Sequence, residues 1–186
     1  MVFMGSNTLI VTALKAELEL PGVLYTGVGK INAAWRLAKA IAQNRPELVI
    51  NYGTAGGLSR GVSGLVEVAR VMQADMMAEP LAPRGQTPFD DSPHVHESGQ
   101  SGVVCASGDS FVTSVDPWLL DQGVEVVDME LFAIATVCHR EGIPWRAFKF
   151  VTDYANEESG GDWQSNVHRG QEAFLQALAQ HFGYLN

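Results

Sequence analysis

Residues 126–135 read Val126-Val127-Asp128-Met129-Glu130-Leu131-Phe132-Ala133-Ile134-Ala135. This order predicts an apolar strand that runs directly into an apolar helix, with two carboxylates at the junction. Burying a carboxylate costs free energy unless it is paired or hydrogen-bonded, so acids at such a junction are candidates for holding a polar ligand. A second apolar run, residues 145–152, also ends on an acid, Asp153. Together the two runs predict an active site at strand ends.

Apolar runs that predict strands alternate along the chain with segments of helical periodicity. Strands are predicted at 8–14, 23–26, 48–52, 65–72, 102–107, 124–127 and 145–152. Helices are predicted at 31–41, 129–141 and 166–182, and the first carries one apolar face made of Ile31, Ala34, Trp35, Ala38 and Ile41. The alternation predicts a single-domain three-layer α/β/α sandwich over residues 1–186, with a mixed, mostly parallel twisted central sheet. Residues 77–100, rich in Pro, Gly, Ser and Asp, are predicted to form a long functional or mobile loop.

Composition narrows the possible classes of protein. The net charge is −9 over 186 residues and no Lys/Arg cluster occurs, which argues against a nucleic-acid surface. No apolar run is long enough to span a bilayer, and the N-terminus lacks the pattern of a signal peptide, so we expect a cytoplasmic protein without membrane contacts. Cys105 and Cys138 lie in apolar runs and are expected to be small core residues rather than a disulfide.

Polar and glycine-rich residues follow most of the predicted strands. They are Glu17, Gly27-Val28-Gly29-Lys30, Thr54-Ala55-Gly56-Gly57, Gly108-Asp109-Ser110-Phe111, Asp128-Met129-Glu130 and Thr152-Asp153. Ligands bind at the carboxyl ends of strands in open parallel sheets, so we expect these residues to share one rim. The two glycine turns match neither a Walker loop nor a dinucleotide fingerprint. They indicate either tight strand-to-helix packing or close approach of the backbone to a ligand.

The segment His94-Val95-His96 places two imidazoles two residues apart. This spacing can bind a metal, but no third ligand is fixed by the sequence. We therefore expect solvated loop histidines, and neither a metal nor another cofactor.

Six motifs occur in a fixed order along the chain. They are Ala13-Leu14-Lys15-Ala16-Glu17, Gly27-Val28-Gly29-Lys30-Ile31-Asn32-Ala33-Ala34, Asn51-Tyr52-Gly53-Thr54-Ala55-Gly56-Gly57-Leu58, Ser107-Gly108-Asp109-Ser110-Phe111, Asp128-Met129-Glu130 and Thr152-Asp153-Tyr154-Ala155-Asn156. Over about residues 8–180 the chain thereby resembles the purine nucleoside phosphorylase and nucleosidase superfamily, and in particular its 5′-methylthioadenosine/S-adenosylhomocysteine nucleosidases. The resemblance implies a nucleoside phosphorylase-like fold and hydrolysis of the N-glycosidic bond of a 6-amino purine nucleoside, with release of adenine.

The resemblance also implies roles for individual residues. Asp153 would protonate N7 of the leaving purine, and Glu17 would orient and deprotonate the attacking water. Glu130 would bind the ribose 2′- and 3′-hydroxyls, with Met129 under the ribose. Further contacts are implied with the base, the water and the 5′ substituent, and they involve Phe111, Val112, Thr54, Gly56, Val28 and Trp163.

Water is expected to be the nucleophile rather than phosphate. Phosphorylases of the superfamily hold phosphate with arginines, whereas this chain has Asn51 at one such position and only Lys15 near the other. A dianion without arginine would be poorly compensated. A phosphorolytic enzyme, another purine nucleosidase such as a futalosine hydrolase, and a catalytically silent nucleoside-binding relative remain alternatives.

The chain departs from the family pattern in three places. Asp128 replaces a common glutamate, and a cap of the following helix is at least as good an interpretation of it. Residues that the family uses for a strand pair are missing between Glu17 and Tyr25, and the loop 77–100 is unusual. We expect a homodimer or a higher homo-oligomer, in which residues such as Met77 and Phe89 could add to the 5′ pocket of a neighbouring subunit.

Overall fold

The computed structural model describes residues 7–59, 61–154 and 159–182. The strands are β1 (Thr8–Thr12), β2 (Leu24–Tyr25), β3 (Leu48–Gly57), β4 (Gly64–Gln73), β5 (Val95–Glu97), β6 (Val103–Ser107), β7 (Val126–Asp128) and β8 (Trp145–Asp153). The helices are α1 (Lys30–Gln43), α2 (Pro117–Asp121), α3 (Leu131–Glu141), α4 (Ser159–Asn166) and α5 (Gln171–Phe182). Ala155 and Asn156, the end of the sixth motif, lie outside the described residues.

All eight described strands belong to one sheet, in the order β2-β1-β3-β7-β6-β4-β5, with β8 paired to both β3 and β4. The pairs β1–β2, β1–β3, β3–β8, β4–β6 and β6–β7 are parallel, and β3–β7, β4–β5 and β4–β8 are antiparallel. The predicted mixed, mostly parallel sheet is therefore confirmed. The sheet is not open as expected, because the pairings run in a closed circuit through β3, β8, β4, β6 and β7.

Helices cover both faces of the sheet because neighbouring strand residues point to opposite sides. On one face Val11, Val49 and Ala147 pack with α1 and α3. On the other face Phe174 of α5 stacks on Tyr52, with ring centroids 4.4 Å apart. The expected three layers are present. None of the described helices is long and apolar enough to cross a membrane.

Several predicted boundaries were wrong. The glycine-rich stretch 53–57 is the second half of β3 and not a turn. The strand β5 and the helices α2 and α4 were not predicted, and the last helix begins at Gln171 rather than at 166. The face of α1 that packs on the sheet consists of Ala33, Leu37 and Ile41. Of the predicted apolar face only Ile41 is buried, while Ile31 and Trp35 are exposed.

The prediction of solvated loop histidines was wrong for His96. His96 lies in β5, is only 4% exposed and has Nε2 3.0 Å from Thr136 Oγ1. Burial, together with the nearby positive groups of His139 and Arg140, lowers the pKa of His96 to about 4. The imidazole is therefore neutral at physiological pH and belongs to the packing between β5 and α3. His94 is exposed, as expected.

Candidate active site

A cavity of about 180 Å³ lies at the carboxyl ends of the strands. It is lined by Glu17 after β1, by the second half of β3, by the ends of β7 and β8, and by Trp163 of α4. All ten residues expected at the site border it, namely Asp153, Glu17, Glu130, Met129, Phe111, Val112, Thr54, Gly56, Val28 and Trp163. The structure thus brings these residues together, and their individual roles stay predictions.

Glu17 is held by hydrogen bonds on both carboxylate oxygens. Oε2 accepts from Thr12 Oγ1 and from the Leu14 backbone N–H, each at 3.0 Å. Oε1 accepts from the Thr54 backbone N–H at 2.9 Å and from Thr54 Oγ1 at 2.8 Å. The side chain is 4% exposed. Glu17 is therefore fixed in place at the cavity floor between β1 and β3.

Glu130 is a buried acid at the start of α3. Its Oε1 accepts from the backbone N–H of Gly29 at 2.9 Å, which joins the first glycine turn to the β7–α3 junction. Burial and the negative charge of Asp128 raise the pKa of Glu130 to about 7, although Lys149 and the Gly29 N–H act in the opposite direction. A carboxylate that can gain or lose a proton near neutral pH is thereby placed at the cavity wall.

Asp128 forms a buried ion pair with Lys149 that sequence reasoning missed. The Nζ of Lys149 lies 2.6 Å from Asp128 Oδ2, and the lysine side chain is only 1% exposed. Asp128 Oδ2 also accepts from the Leu131 backbone N–H at 2.9 Å, in agreement with its interpretation as a cap for the following helix. The signal for Lys149 was a lysine inside the apolar run 145–152, because a charge in a buried strand needs a partner.

Asp153 ends β8 at the same cavity and is 5% exposed. Thr152 Oγ1 donates to its Oδ2 at 2.9 Å. A Cβ placed on Gly56 would lie only 3.1 Å from Asp153 Oδ1 and 3.3 Å from Val127 Cγ2. Gly56 therefore leaves the space in which the carboxylate of Asp153 borders the cavity, and close approach is the reading of this glycine that the geometry favours.

Apolar side chains form the more open part of the cavity. Val28 is 42% and Phe111 is 45% exposed, and Met129 and Val112 line the same cavity. The indole of Trp163 completes this wall and donates from Nε1 to Thr54 Oγ1 at 2.9 Å. The cavity can therefore hold a ligand that has an apolar group next to a polar one.

Cationic side chains are absent from the cavity lining of the described residues. Asn51 is 2% exposed, and its Nδ2 donates to the Val11 carbonyl at 3.1 Å instead of facing the cavity. The ammonium of Lys15 lies 5.7 Å from the centre of the Tyr25 ring, also away from the lining. The buried Lys149 is engaged by Asp128. The described part of the lining therefore offers no positively charged side chain to an anion such as phosphate.

The chain is similar in sequence to known proteins. Residues 17–183 match the sequence profile described as the Phosphorylase superfamily. The 5′-methylthioadenosine/S-adenosylhomocysteine nucleosidase of Haemophilus influenzae strain PittEE is 29% identical over an alignment of 203 positions. This alignment covers 94% of this chain and 84% of the relative.

Solved structures share the fold. A mutant of the Helicobacter pylori nucleosidase MTAN, with 5′-methylthioadenosine in the active site, aligns with a TM-score of 0.83 at 21% identity, covering 95% of this chain and 99% of that one. Futalosine hydrolase of Helicobacter pylori aligns with a TM-score of 0.84 at 20% identity, covering 95% and 98%.

Proposed function

Because this chain belongs to the Phosphorylase superfamily, we propose that it hydrolyses the N-glycosidic bond of a purine nucleoside, preferably 5′-methylthioadenosine or S-adenosylhomocysteine, and releases adenine. The observation that carries the proposal is the set of three buried acids, Glu17, Glu130 and Asp153, around one cavity whose described lining lacks cations. The similarity to 5′-methylthioadenosine/S-adenosylhomocysteine nucleosidases supports the preference for these two substrates.

The acids divide the reaction between them. Cleavage moves the bonding electrons onto the base while positive charge develops on the ribose, so a proton on N7 lowers the barrier. Asp153 supplies that proton. Glu130 accepts hydrogen bonds from the ribose hydroxyls, and these strengthen as the ring becomes cationic. Glu17 takes up the proton that the attacking water loses, which completes the hydrolysis.

Hydrolysis is preferred over phosphorolysis because of charge. A phosphate dianion beside three carboxylates and without a lining cation would be repelled rather than held. The apolar wall of Val28, Met129 and Trp163 favours a thioether at the 5′ position over a hydroxyl, since burying an unpaired hydroxyl costs free energy.

The proposal is tested by incubating the purified protein with methylthioadenosine, adenosylhomocysteine, adenosine, inosine and futalosine, with and without phosphate, and measuring the free base. We expect phosphate-independent release of adenine, fastest from the two thioethers. Strict dependence on phosphate contradicts hydrolysis. Tight adenine binding without turnover favours a catalytically silent nucleoside-binding protein. Release of base from futalosine alone favours a futalosine hydrolase.

Two variants tie the activity to the site. Asp153→Asn keeps the shape of the side chain but cannot deliver a proton, so kcat should fall about 10²- to 10⁴-fold while the melting temperature changes little. Glu17→Gln should slow hydrolysis and leave adenine binding largely intact. Near-normal turnover of Asp153→Asn rejects its role as the acid, and equal loss of binding and turnover in Glu17→Gln points to a structural role.

We also infer that the protein self-associates as a homodimer or higher homo-oligomer. The support is the second apolar face of α1, where Ile31 is 80% and Trp35 is 58% exposed next to the cavity residue Val28. Single exposed apolar residues are ordinary, but neighbouring ones on one helix are typical of a contact surface. A cytoplasmic location stays a prediction.

A further inference from the structure

Trp163 makes a polar contact that a purely apolar wall does not require. Its Nε1 is 2.9 Å from Thr54 Oγ1, and Thr54 Oγ1 is 2.8 Å from Glu17 Oε1. An indole N–H can only donate, and an ionised carboxylate can only accept. The direction of both bonds is therefore fixed, and the single hydroxyl proton of Thr54 points at Glu17.

Protein donors already fill the acceptor capacity of Glu17. A carboxylate has about four lone-pair sites. The sites on Oε1 are taken by the backbone N–H and hydroxyl of Thr54, and those on Oε2 by the hydroxyl of Thr12 and the backbone N–H of Leu14. Of the two hydroxyls, Thr12 is 0% exposed, whereas Thr54 lines the cavity. Glu17 also lines the cavity, but protein donors occupy its lone pairs, so Thr54 Oγ1 is the acceptor of this network that a water in the cavity meets.

We propose that the proton of the attacking water reaches Glu17 through the Thr54 hydroxyl, and that Trp163 is the positioning residue that orients this relay. The inference rests on the proposed function and specifies the route of one proton in it. As the water oxygen bonds to the anomeric carbon, one water proton passes to Thr54 Oγ1 and the Thr54 proton passes to Glu17 Oε1.

The valences of Thr54 Oγ1 fit this route. A hydroxyl has one proton and two lone pairs. The proton is directed at Glu17, one lone pair accepts from Trp163, and the second lone pair remains for the water. Without the indole N–H the hydroxyl would be free to rotate. It would then donate its proton to the water for part of the time, instead of accepting a hydrogen bond from the water.

The relay is tested by a set of variants assayed with methylthioadenosine without phosphate. Thr54→Val should lower kcat about 10²- to 10⁴-fold, comparable to Glu17→Gln, because it removes the hydroxyl. Thr54→Ser should stay within about threefold of the wild type, because it keeps the hydroxyl. Binding of adenine, measured by calorimetry, should persist in each variant and serves as the check that the site is folded.

The role of Trp163 is isolated by Trp163→Phe, which keeps an aromatic wall but lacks the N–H. We expect kcat to fall about 3- to 10-fold with an unchanged KM in the wild-type and Thr54→Ser backgrounds, and no further loss in Thr54→Val. Trp163→Leu, which also removes the aromatic wall, should in addition raise KM for the thioether substrate.

The outcomes separate the two proposals. Near-normal kcat in Thr54→Val, or equal losses from Trp163→Phe with and without the Thr54 hydroxyl, overturns the relay while phosphate-independent turnover by the wild type keeps the nucleosidase. A wild type that releases no base overturns the proposed function, and the relay with it.

Discussion

At the residue scale, the site depends on how two buried carboxylates, Asp128 and Glu130, share the positive charge of the buried Lys149. The Nζ of Lys149 lies 2.6 Å from Oδ2 of Asp128. The positive charge of the lysine is therefore paired with Asp128, which does not bind the ribose in the proposed mechanism. Glu130 is left in a buried, negative environment, and its pKa rises to about 7 as a result. The proposed reaction needs Glu130 ionised, because a protonated carboxyl group would lose acceptor capacity for the two ribose hydroxyls.

This pKa predicts an acid limb in the pH profile. We expect kcat/KM to fall about tenfold per pH unit below a midpoint near the pKa of Glu130, because that parameter reports the free enzyme.

The free energy of unfolding should depend on pH in the opposite direction. A pKa raised from 4.5 to about 7 on folding means that the folded state binds the proton more tightly, so the free energy of unfolding from this group is greatest below 4.5 and declines as the pH rises through 7.

Asp128→Asn should move the acid limb toward lower pH. The substitution removes the charge that raises the pKa of Glu130 and frees the Lys149 ammonium, and both changes favour the ionised form of Glu130. It should also lower the free energy of unfolding, by about 3–5 kcal/mol, because a buried cation loses its partner. Asp121→Asn, an exposed substitution on α2, is the control. If the acid limb of kcat/KM has the same midpoint in Asp128→Asn as in the wild type, Glu130 is not the titrating group.

At the element scale, the start of α1 positions the side of the cavity at which the ribose binds in the proposed mechanism. Gly29 is the N-cap of α1 with φ 95° and ψ 154°, a conformation that essentially only glycine adopts. Its N–H reaches Glu130, while Lys30 pairs with Asp75 and donates its backbone N–H to Asp109 Oδ1 at 2.8 Å. The turn is therefore tied to the ends of β4, β6 and β7, and it carries Val28 into the cavity.

Gly29→Ala should impair both this turn and the site. We expect the free energy of unfolding to drop by about 1–3 kcal/mol from backbone strain. A Cβ here would also lie 3.3 Å from Asp109 Oδ1. Displacement of the N–H from Glu130 should raise KM about 3- to 30-fold. The matched control is Gly123→Ala, at φ 72° with open space around the Cβ, which should lose stability without a change in KM. Equal KM values for the two variants would contradict the role of the turn.

The elements show where sequence reasoning succeeds and fails. The junction 126–135 and the strands 48–52 and 145–152 were predicted because each contains an apolar run that is typical of a buried strand. The helix α4 was missed because its sequence, SGGDWQSN, has two glycines and no apolar periodicity, so only its tertiary contacts stabilise it. The three residues of β5 are a strand only because β4 pairs with them.

The site was predictable from type and order, but its polar connections were not. Glu17, Glu130 and Asp153 each follow an apolar run, and the carboxyl ends of parallel strands meet at one rim. The ion pair of Asp128 and Lys149 depends on how β7 and β8 face each other across β3, which no local pattern encodes. The contact of Trp163 with Thr54 joins residues 109 positions apart, so it also appears only in three dimensions.

At the scale of the whole molecule, α1 carries two apolar faces and the fold uses one. Ala33, Leu37 and Ile41 are buried against the sheet, whereas Ile31 and Trp35 lie a turn apart in solvent. The exposed face begins at Val28, the cavity residue that is itself 42% exposed. A second subunit on this face would therefore cover apolar surface and narrow the opening of the cavity, which links self-association to substrate affinity.

The double variant Ile31→Ser/Trp35→Ser tests that link. By light scattering after size exclusion we expect the wild type at twice the chain mass of 20.1 kDa or more, and the variant at the mass of one chain. KM for methylthioadenosine should rise in the variant because the cavity mouth loses its apolar cover. Leu120→Ser on α2, where the leucine is 49% exposed, should change neither value. A wild type that runs as a single chain with full activity would refute self-association and leave the site of each chain complete on its own.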